Sequence, residues 1–179
     1  MGEIIQIFYN IPMFKVIQDD ITTLKVDAIV NAANHTRLGG GGVDGAIHRA
    51  AGPELLKECR TLRYCPTGQA TTTSTYNLPC KYIIHTVGSV WYGGAHNEIK
   101  DLFNCYTNST RLAEVYGCET IAFPCISTGV YHFPKEQAAQ IAITAIKQIS
   151  PSVKAVKEVT FVCFSEGDKK IYDKLLNVR

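Results

Sequence analysis

The chain has 179 residues, of which 46% are hydrophobic and 19% charged, so we predict one soluble globular domain over residues 1–179. Its net charge of +2 gives no support for a general nucleic-acid-binding protein, which normally carries a strongly basic stripe. The seven cysteines contain no C-x-x-C pair, which indicates reduced, buried thiols in a cytoplasmic protein and argues against a disulfide framework or a zinc site.

Short apolar runs alternate along the chain with longer helix-compatible segments. The apolar stretch that begins the chain is interrupted by polar residues and is too short to span a bilayer, so we expect no membrane association. The alternation predicts an α/β domain with a mostly parallel sheet, in which ligands bind at the carboxyl ends of the strands. The predicted strands are Ile4–Tyr9 (a candidate edge strand), Phe14–Gln18, Asp27–Ala32, Ala70–Thr75, Tyr82–Val87, Thr120–Cys125 and Val159–Phe164. The predicted helices are Val43–Ala51, Pro53–Leu62, Asn97–Tyr116, Lys135–Ile149 and Asp168–Leu176.

The first strand-to-helix junction that can carry chemistry is Gln18-Asp19-Asp20-Ile21-Thr22. Asp20 is the type of residue that caps a short helical turn. Its carboxylate can also accept a hydrogen bond from a ligand donor such as an exocyclic amine. Both roles are compatible.

A glycine run, Gly39 to Gly42, joins the strand that contains Val30 to a helix that begins near Val43. Glycine loses more backbone entropy on folding than any other residue, so such a run indicates a backbone that passes very close to another group. The free N–H groups of a helix N-terminus favour an anion, and phosphate is the usual one. The run is neither a Walker A loop nor a dinucleotide-binding fingerprint.

Two polar residues flank the glycine run. Asn34 can be a simple turn residue, and Asp44 can simply complement the dipole of the helix that follows. Taken together they converge on the same predicted phosphate site, which favours a functional role for both.

The loop after the Thr120 strand contains Ser127-Thr128-Gly129-Val130-Tyr131. These small and hydroxylated residues predict a second backbone cradle for phosphate, with Tyr131 able to stack on a ring. The alternative is an ordinary turn with a core tyrosine. Ser127 lacks the G-x-S-x-G context of a nucleophile.

The five histidines show no metal-binding spacing, so we expect neither a metal nor a cofactor. His85 lies within an apolar strand and is interpreted as a hydrogen-bonded core residue. No catalytic role is assigned to His85 or to His48.

These residues together resemble the signature of macrodomains, and more narrowly of the hydrolytic MacroD-type branch that includes bacterial O-acetyl-ADP-ribose deacetylases. The resemblance extends over most of the chain. Its motifs are Asn31-Ala-Ala-Asn34, Gly39-Gly-Gly-Gly-Val-Asp44-Gly-Ala-Ile-His48, Ala51-Gly-Pro-Glu54, Asp20-Ile21-Thr22, Pro66-Thr67-Gly68, Leu78-Pro79, His85-Thr86-Val87-Gly88, Ala122-Phe123-Pro124 and Ile126-Ser127-Thr128-Gly129-Val130-Tyr131.

The resemblance implies a single-domain three-layer α/β/α sandwich around a mixed, mostly parallel sheet that binds ADP-ribose. By this analogy Asp20 accepts from the adenine amine beside Ile21, and Phe164 packs on the adenine. The residues Gly40, Gly41, Gly42 and Val43 form one diphosphate loop, and the residues Ser127, Thr128, Gly129, Val130 and Tyr131 form the other.

The resemblance also implies the reaction. Asn34 contacts the distal ribose, and Asp44 lies near the scissile ester of O-acetyl-ADP-ribose or of ADP-ribose attached to acidic protein side chains. Asp44 can act as a general base, or a diphosphate oxygen can take the proton from water. A non-catalytic ADP-ribose-binding module and an ADP-ribose 1″-phosphate phosphatase are the alternatives. Asp19 and His132 stand where relatives commonly have glycine.

Overall fold

The computed structural model describes residues 11–177. These residues form six strands and five helices. The strands are β1 (Met13–Gln18), β2 (Ala28–Ala33), β3 (Ala70–Thr73), β4 (Tyr82–Val87), β5 (Thr120–Pro124) and β6 (Glu158–Cys163). The helices are α1 (Gly42–Ala51), α2 (Pro53–Thr61), α3 (Glu98–Val115), α4 (Lys135–Ile149) and α5 (Glu166–Leu175), with short 3-10 segments at Ile21–Thr23 and Ser150–Ser152.

The strands form one six-stranded sheet in the order β1-β6-β5-β2-β4-β3. Every neighbouring pair is parallel except β3 with β4, which is antiparallel. Parallel strands need helical connections that cover both faces of the sheet. The sheet is therefore mixed and mostly parallel, as predicted.

Successive residues of the buried strands point to opposite faces and enter two separate apolar cores. On one face Ile29 of β2 packs in a core with residues of α1 and α2, such as Ile47 and Leu55. On the other face Val30, the next residue along β2, joins a larger core to which α3, α4 and α5 contribute. Because successive side chains of a strand point to opposite faces of the sheet, the two cores lie on opposite sides of it. This confirms the three-layer α/β/α sandwich.

The helix over Lys135–Ile149 matches its prediction, and most other boundaries shift by one or two residues. The largest changes are that β3 ends at Thr73 instead of Thr75, and that α5 begins at Glu166 because Ser165 accepts from the Asp168 backbone N–H. Pro134 is the residue before α4. The predicted edge strand Ile4–Tyr9 lies outside the described residues.

All seven cysteines are free thiols, and all but Cys125 are buried. Among residues 11–177, no helix has the length and apolar character needed to cross a membrane.

The sheet opens between its two central strands. β2 pairs with β4 along its full length, from Ala28↔Tyr82 to Ala33↔Val87. Its pairing with β5 covers only Ala28↔Ile121 and Ile29↔Ala122. The chain leaves β2 toward the α1 face and leaves β5 toward the α4 face, so the strands are the switch point of the fold. A crevice at such a point is where ligands bind in open α/β sheets.

The loop before α3 is held by one buried carboxylate. Glu98 accepts from the backbone N–H groups of Tyr92 (2.9 Å), Gly94 (3.1 Å) and His96 (2.5 Å). Burial alone would raise the pKa of Glu98, but these donors outweigh it and lower the pKa from 4.5 to about 2. The ionised form of Glu98 therefore stabilises the fold.

We expect Glu98→Gln to lower the melting temperature at pH 7, because the neutral amide accepts these hydrogen bonds less strongly. A depressed folded-state pKa contributes stability that is complete above pH 4.5 and is lost as the pH falls toward about 2. The difference in melting temperature between wild type and Glu98→Gln should thus shrink across that range. The exposed Glu166→Gln is the control. A difference that stays constant from pH 7 to pH 2.5 would contradict this account.

Candidate functional site

The residues that the sequence singled out lie in the segments that follow β1, β2, β5 and β6. The glycine run and Asp44 follow β2, and residues 127–131 follow β5. Asp20 and Phe164 come directly after the two neighbouring strands β1 and β6. All of them therefore lie at the carboxyl end of the sheet, where loops gather in a parallel sheet.

The glycine-rich loop leads directly into the N-terminus of α1. Gly41 caps the helix without a side chain, so no side-chain oxygen occupies the free N–H groups of the first turn. Gly39 and Gly42 have φ values of +94° and +57°, which side-chain-bearing residues rarely adopt. The loop presents backbone donors and the positive end of the helix dipole to the crevice, and this combination binds anions.

Asn34 and Asp44 approach the same glycine from two sides. A Cβ atom on Gly40 would lie 3.3 Å from Asp44 Oδ2 and 3.8 Å from Asn34 Nδ2. Asn34 also organises the loop, because its Nδ2 donates to Gly39 O (3.0 Å) and its Oδ1 accepts from the Arg37 backbone N–H (2.9 Å). Asn34 is thus a turn residue whose amide, like the Asp44 carboxylate, faces Gly40.

Asp44 points inward from the first turn of α1 and is only 4% exposed. Its Oδ1 accepts from Asn31 Nδ2 at 2.7 Å. His48, one turn further along α1, places Nε2 3.5 Å from the same oxygen. Burial raises the pKa of Asp44, while the hydrogen bond from Asn31 and the nearby His48 act in the opposite direction. A carboxylate with a raised pKa is a better proton acceptor, which is the property that a general base needs.

Asp20 follows β1, the edge strand that pairs with β6. Its Oδ1 accepts from the Thr22 backbone N–H (2.9 Å) and the Thr22 hydroxyl (2.7 Å), so Asp20 caps the 3-10 segment Ile21–Thr23, as the capping interpretation predicts. The side chain of Asp20 remains exposed, and Ile21 is buried against the α1 core.

Phe164 follows β6 and is 94% exposed, which is unusual for a phenylalanine. Gln18, at the end of the adjacent strand β1, donates from Nε2 to Phe164 O at 3.5 Å. The exposed ring therefore lies just after β6. The neighbouring strand β1 leads to Asp20.

The loop after β5 is tightly turned. Ser127 and His132 both have positive φ values, +65° and +58°. Phe133 N donates to Ser127 O at 3.0 Å and closes the loop across its base. A Cβ atom on Gly88 would overlap Ser127 Oγ, so only glycine at the end of β4 lets this loop approach. Val130 at the tip is 85% exposed, and Tyr131 is half-buried.

Residues 30–142 match the sequence model of the family described as Macro domain. The chain belongs to the macrodomain family. A Macro domain-containing protein of Chlorobaculum tepidum is 56% identical over 89% of this chain and 93% of its own length. An O-acetyl-ADP-ribose deacetylase of Citrobacter rodentium is 52% identical over 90% of this chain and 93% of its own.

The macrodomain fold is equally clear from solved structures. The structure of an Oceanobacillus iheyensis macrodomain mutant with ADPR superposes with a TM-score of 0.89 at 43% sequence identity, covering 94% of each chain. The six-stranded mixed sheet flanked by helices is therefore a macrodomain.

Two buried residues that connect to Asp44, Asn31 and His85, are not among the site residues predicted from the sequence. Asn31 holds Asp44, and Asn31 is itself in contact with His85 Nδ1 at 3.0 Å. Both are fully buried, so the interpretation of His85 as a hydrogen-bonded core residue is confirmed. The available signal was a polar residue inside each of two apolar strands, since an unpaired polar group there would be costly. His48 was also left without a role, although it lies next to Asp44.

Among residues 11–177 of the macrodomain, no group of three or more His, Cys, Asp or Glu residues is arranged to hold a metal ion.

Asp19 Oδ1 accepts from the Asp20 backbone N–H at 2.7 Å, so Asp19 supports the turn that carries Asp20.

Proposed function

We propose that this macrodomain binds ADP-ribose and hydrolyses acyl esters of ADP-ribose without a metal. The observation that carries the proposal is the buried, Asn31-bonded carboxylate of Asp44 beside an anion-binding glycine loop. The name of the Citrobacter rodentium relative, O-acetyl-ADP-ribose deacetylase, and the ADPR complex of the Oceanobacillus iheyensis relative support it.

In the proposed complex, the backbone N–H groups of Gly40–Val43 and of Ser127–Tyr131 hold the diphosphate from two sides. Asp20 accepts from the adenine amine beside Ile21, and the exposed ring of Phe164 packs on the adenine. These assignments place the distal ribose at the Gly40 end of the crevice, beside Asn34 and Tyr131.

The proposed reaction is the attack of water on the acyl carbonyl carbon. Asp44 and the substrate diphosphate position the water, and Asp44 takes its proton as the new C–O bond forms. The bond between the acyl carbon and the ribose oxygen then breaks, and that oxygen regains a proton. The products are ADP-ribose and a carboxylic acid. Proteins with ADP-ribose on acidic side chains are substrates of the same chemistry.

The decisive experiment treats the purified protein with a chelator, adds O-acetyl-ADP-ribose and follows ADP-ribose and acetate. Release of both products without added metal is the expected result. ADP-ribose binding without turnover would instead indicate a binding module. Release of inorganic phosphate from ADP-ribose 1″-phosphate, with no turnover of the ester, would indicate a phosphatase.

Phe164→Ala tests the adenine platform. We expect the Kd for ADP-ribose to rise by about tenfold, because stacking on a base is worth roughly 1–3 kcal/mol. The melting temperature should not change, since the ring is 94% exposed and contributes little to the core. Calorimetric titration and thermal unfolding measure the two effects. Val115→Ala, which truncates a 77% exposed residue at the end of α3, is the control. An unchanged Kd would remove Phe164 from the site.

A further inference from the structure

His85 lies in the middle of β4, directly opposite Asn31 of β2 in the parallel register. It also lies opposite Thr71 of β3, two residues before Thr73. The imidazole is fully buried. Its two ring nitrogens contact one partner each, Nδ1 with Asn31 Nδ2 at 3.0 Å and Nε2 with Thr73 Oγ1 at 2.8 Å.

The hydrogen-bond directions follow from Asn31 Nδ2, an NH2 group that can only donate. Its contact with His85 Nδ1 at 3.0 Å makes Nδ1 the acceptor, and Thr73 Oγ1, 2.8 Å from Nε2, can accept there because its own proton can go to Ser74 O at 3.1 Å. The His85 proton is therefore on Nε2, and Nδ1 carries the lone pair. This lone pair accepts from Asn31 Nδ2, whose second proton goes to Asp44 Oδ1 at 2.7 Å.

The imidazole stays neutral in this environment. Burial is the main cause that lowers the pKa of His85 to about 3, with smaller contributions in the same direction from His48 and Arg37. A neutral imidazole has one donor and one acceptor nitrogen, so the tautomer decides what it offers to Asn31.

We infer that His85 is a positioning residue, whose Nε2–H tautomer, set by Thr73, fixes the amide of Asn31 and through it Asp44. The inference rests on the proposed function, in which Asp44 activates water. If Nδ1 carried the proton, the Asn31 amide would turn its oxygen toward His85. That oxygen would also face the Asp44 carboxylate, and the hydrogen bond that holds Asp44 would be lost.

Thr73→Val and Thr73→Ser test the inference with little change in volume. Valine removes the acceptor for Nε2–H, while serine keeps it. For Thr73→Val we expect kcat for O-acetyl-ADP-ribose to fall by about tenfold or more, since small misplacements of reacting groups have effects of this size. The Kd for ADP-ribose should stay within about twofold, because Thr73, His85 and Asn31 are not among the residues proposed to hold the diphosphate. Thr73→Ser should match the wild type in both. Equal kcat values for the two variants would overturn the inference.

A second pair of variants replaces the His85 imidazole itself. In His85→Asn the side-chain amide can place its oxygen where Nδ1 accepts from Asn31. In His85→Gln the longer side chain carries its amide toward Thr73, away from Asn31. We expect His85→Asn to retain more of the wild-type kcat than His85→Gln. The reverse order would contradict the inference, and thermal unfolding of both variants separates loss of fold from loss of positioning.

Nitrogen-15 NMR of labelled histidine gives a readout that does not depend on turnover. In the wild type, the His85 proton should be on Nε2, and in Thr73→Val the other tautomer should become populated. A wild-type proton on Nδ1 would overturn the inference even if the enzyme hydrolyses the ester. Absence of wild-type hydrolysis would instead overturn the proposed function, while the spectrum would still decide the tautomer.

Discussion

Asp44→Ala is expected to reduce kcat for O-acetyl-ADP-ribose by about 100-fold or more, the range in which general-base catalysis contributes. The Kd for ADP-ribose should change little, because the loop N–H groups proposed to hold the diphosphate belong to the backbone. Steady-state kinetics with detection of acetate, together with calorimetric titration of ADP-ribose, measures the two quantities separately.

Asp44→Asn adds a test of the electrostatics. An Asp whose folded-state pKa lies above its unfolded value of 3.8 is destabilising when ionised, so the fold loses stability as the pH rises through the folded-state pKa. At pH 7 the neutral asparagine should thus leave the melting temperature equal to or above that of the wild type. Asp173→Asn, on α5 and paired with Lys169, is the control for charge removal.

Wild-type turnover in Asp44→Ala would exclude Asp44 as the catalytic group.

Gly45→Ala is expected to weaken ADP-ribose binding by about tenfold, roughly 1.4 kcal/mol, because the glycine-rich loop must shift to relieve a close contact. A Cβ atom on Gly45 would lie 2.5 Å from Gly40 O and 3.0 Å from the Arg49 guanidinium. The backbone of Gly40 cannot stay where it is, so the diphosphate loop must move away from α1.

The same substitution is favourable for the helix itself, since alanine is a better helix former than glycine. We therefore expect binding to fall more than stability. Gly167→Ala on α5 is the matched control, because a Cβ there meets only Ser165 Oγ at 3.8 Å. It should leave the Kd unchanged and raise the melting temperature slightly. Equal affinities for Gly45→Ala and Gly167→Ala would contradict the close packing of the loop on α1.

Local patterns were sufficient to predict most of the fold. The apolar face of Lys135–Ile149 predicted α4 to the residue, and the glycine run correctly marked the start of α1. Such elements are predictable because periodicity and turn chemistry act between neighbours in the chain. Asp20 shows the limit of this reasoning, since a capping residue and a ligand-binding residue have the same sequence pattern.

The network behind Asp44 could not be predicted in the same way. Asn31 meets His85 only because β2 and β4 pair in a register in which these two residues are opposite. Neither the sheet order nor the register is encoded locally. A one-residue shift in register would point the side chains to opposite faces of the sheet. The contact is therefore a property of the whole sheet.

β2 and β5 pair over only two residues each, so most of each strand has an unpaired side within the sheet. Beyond Ile29 and Ala122, no ladder joins these strands, so their backbone groups are not paired with each other there. Such amides lack the protection of a central strand against exchange with solvent deuterium. We expect the β2 amides on the crevice side to exchange faster than those that pair with β4, and bound ADP-ribose to slow them. The proposed binding site therefore lies where the pairing of these two strands ends.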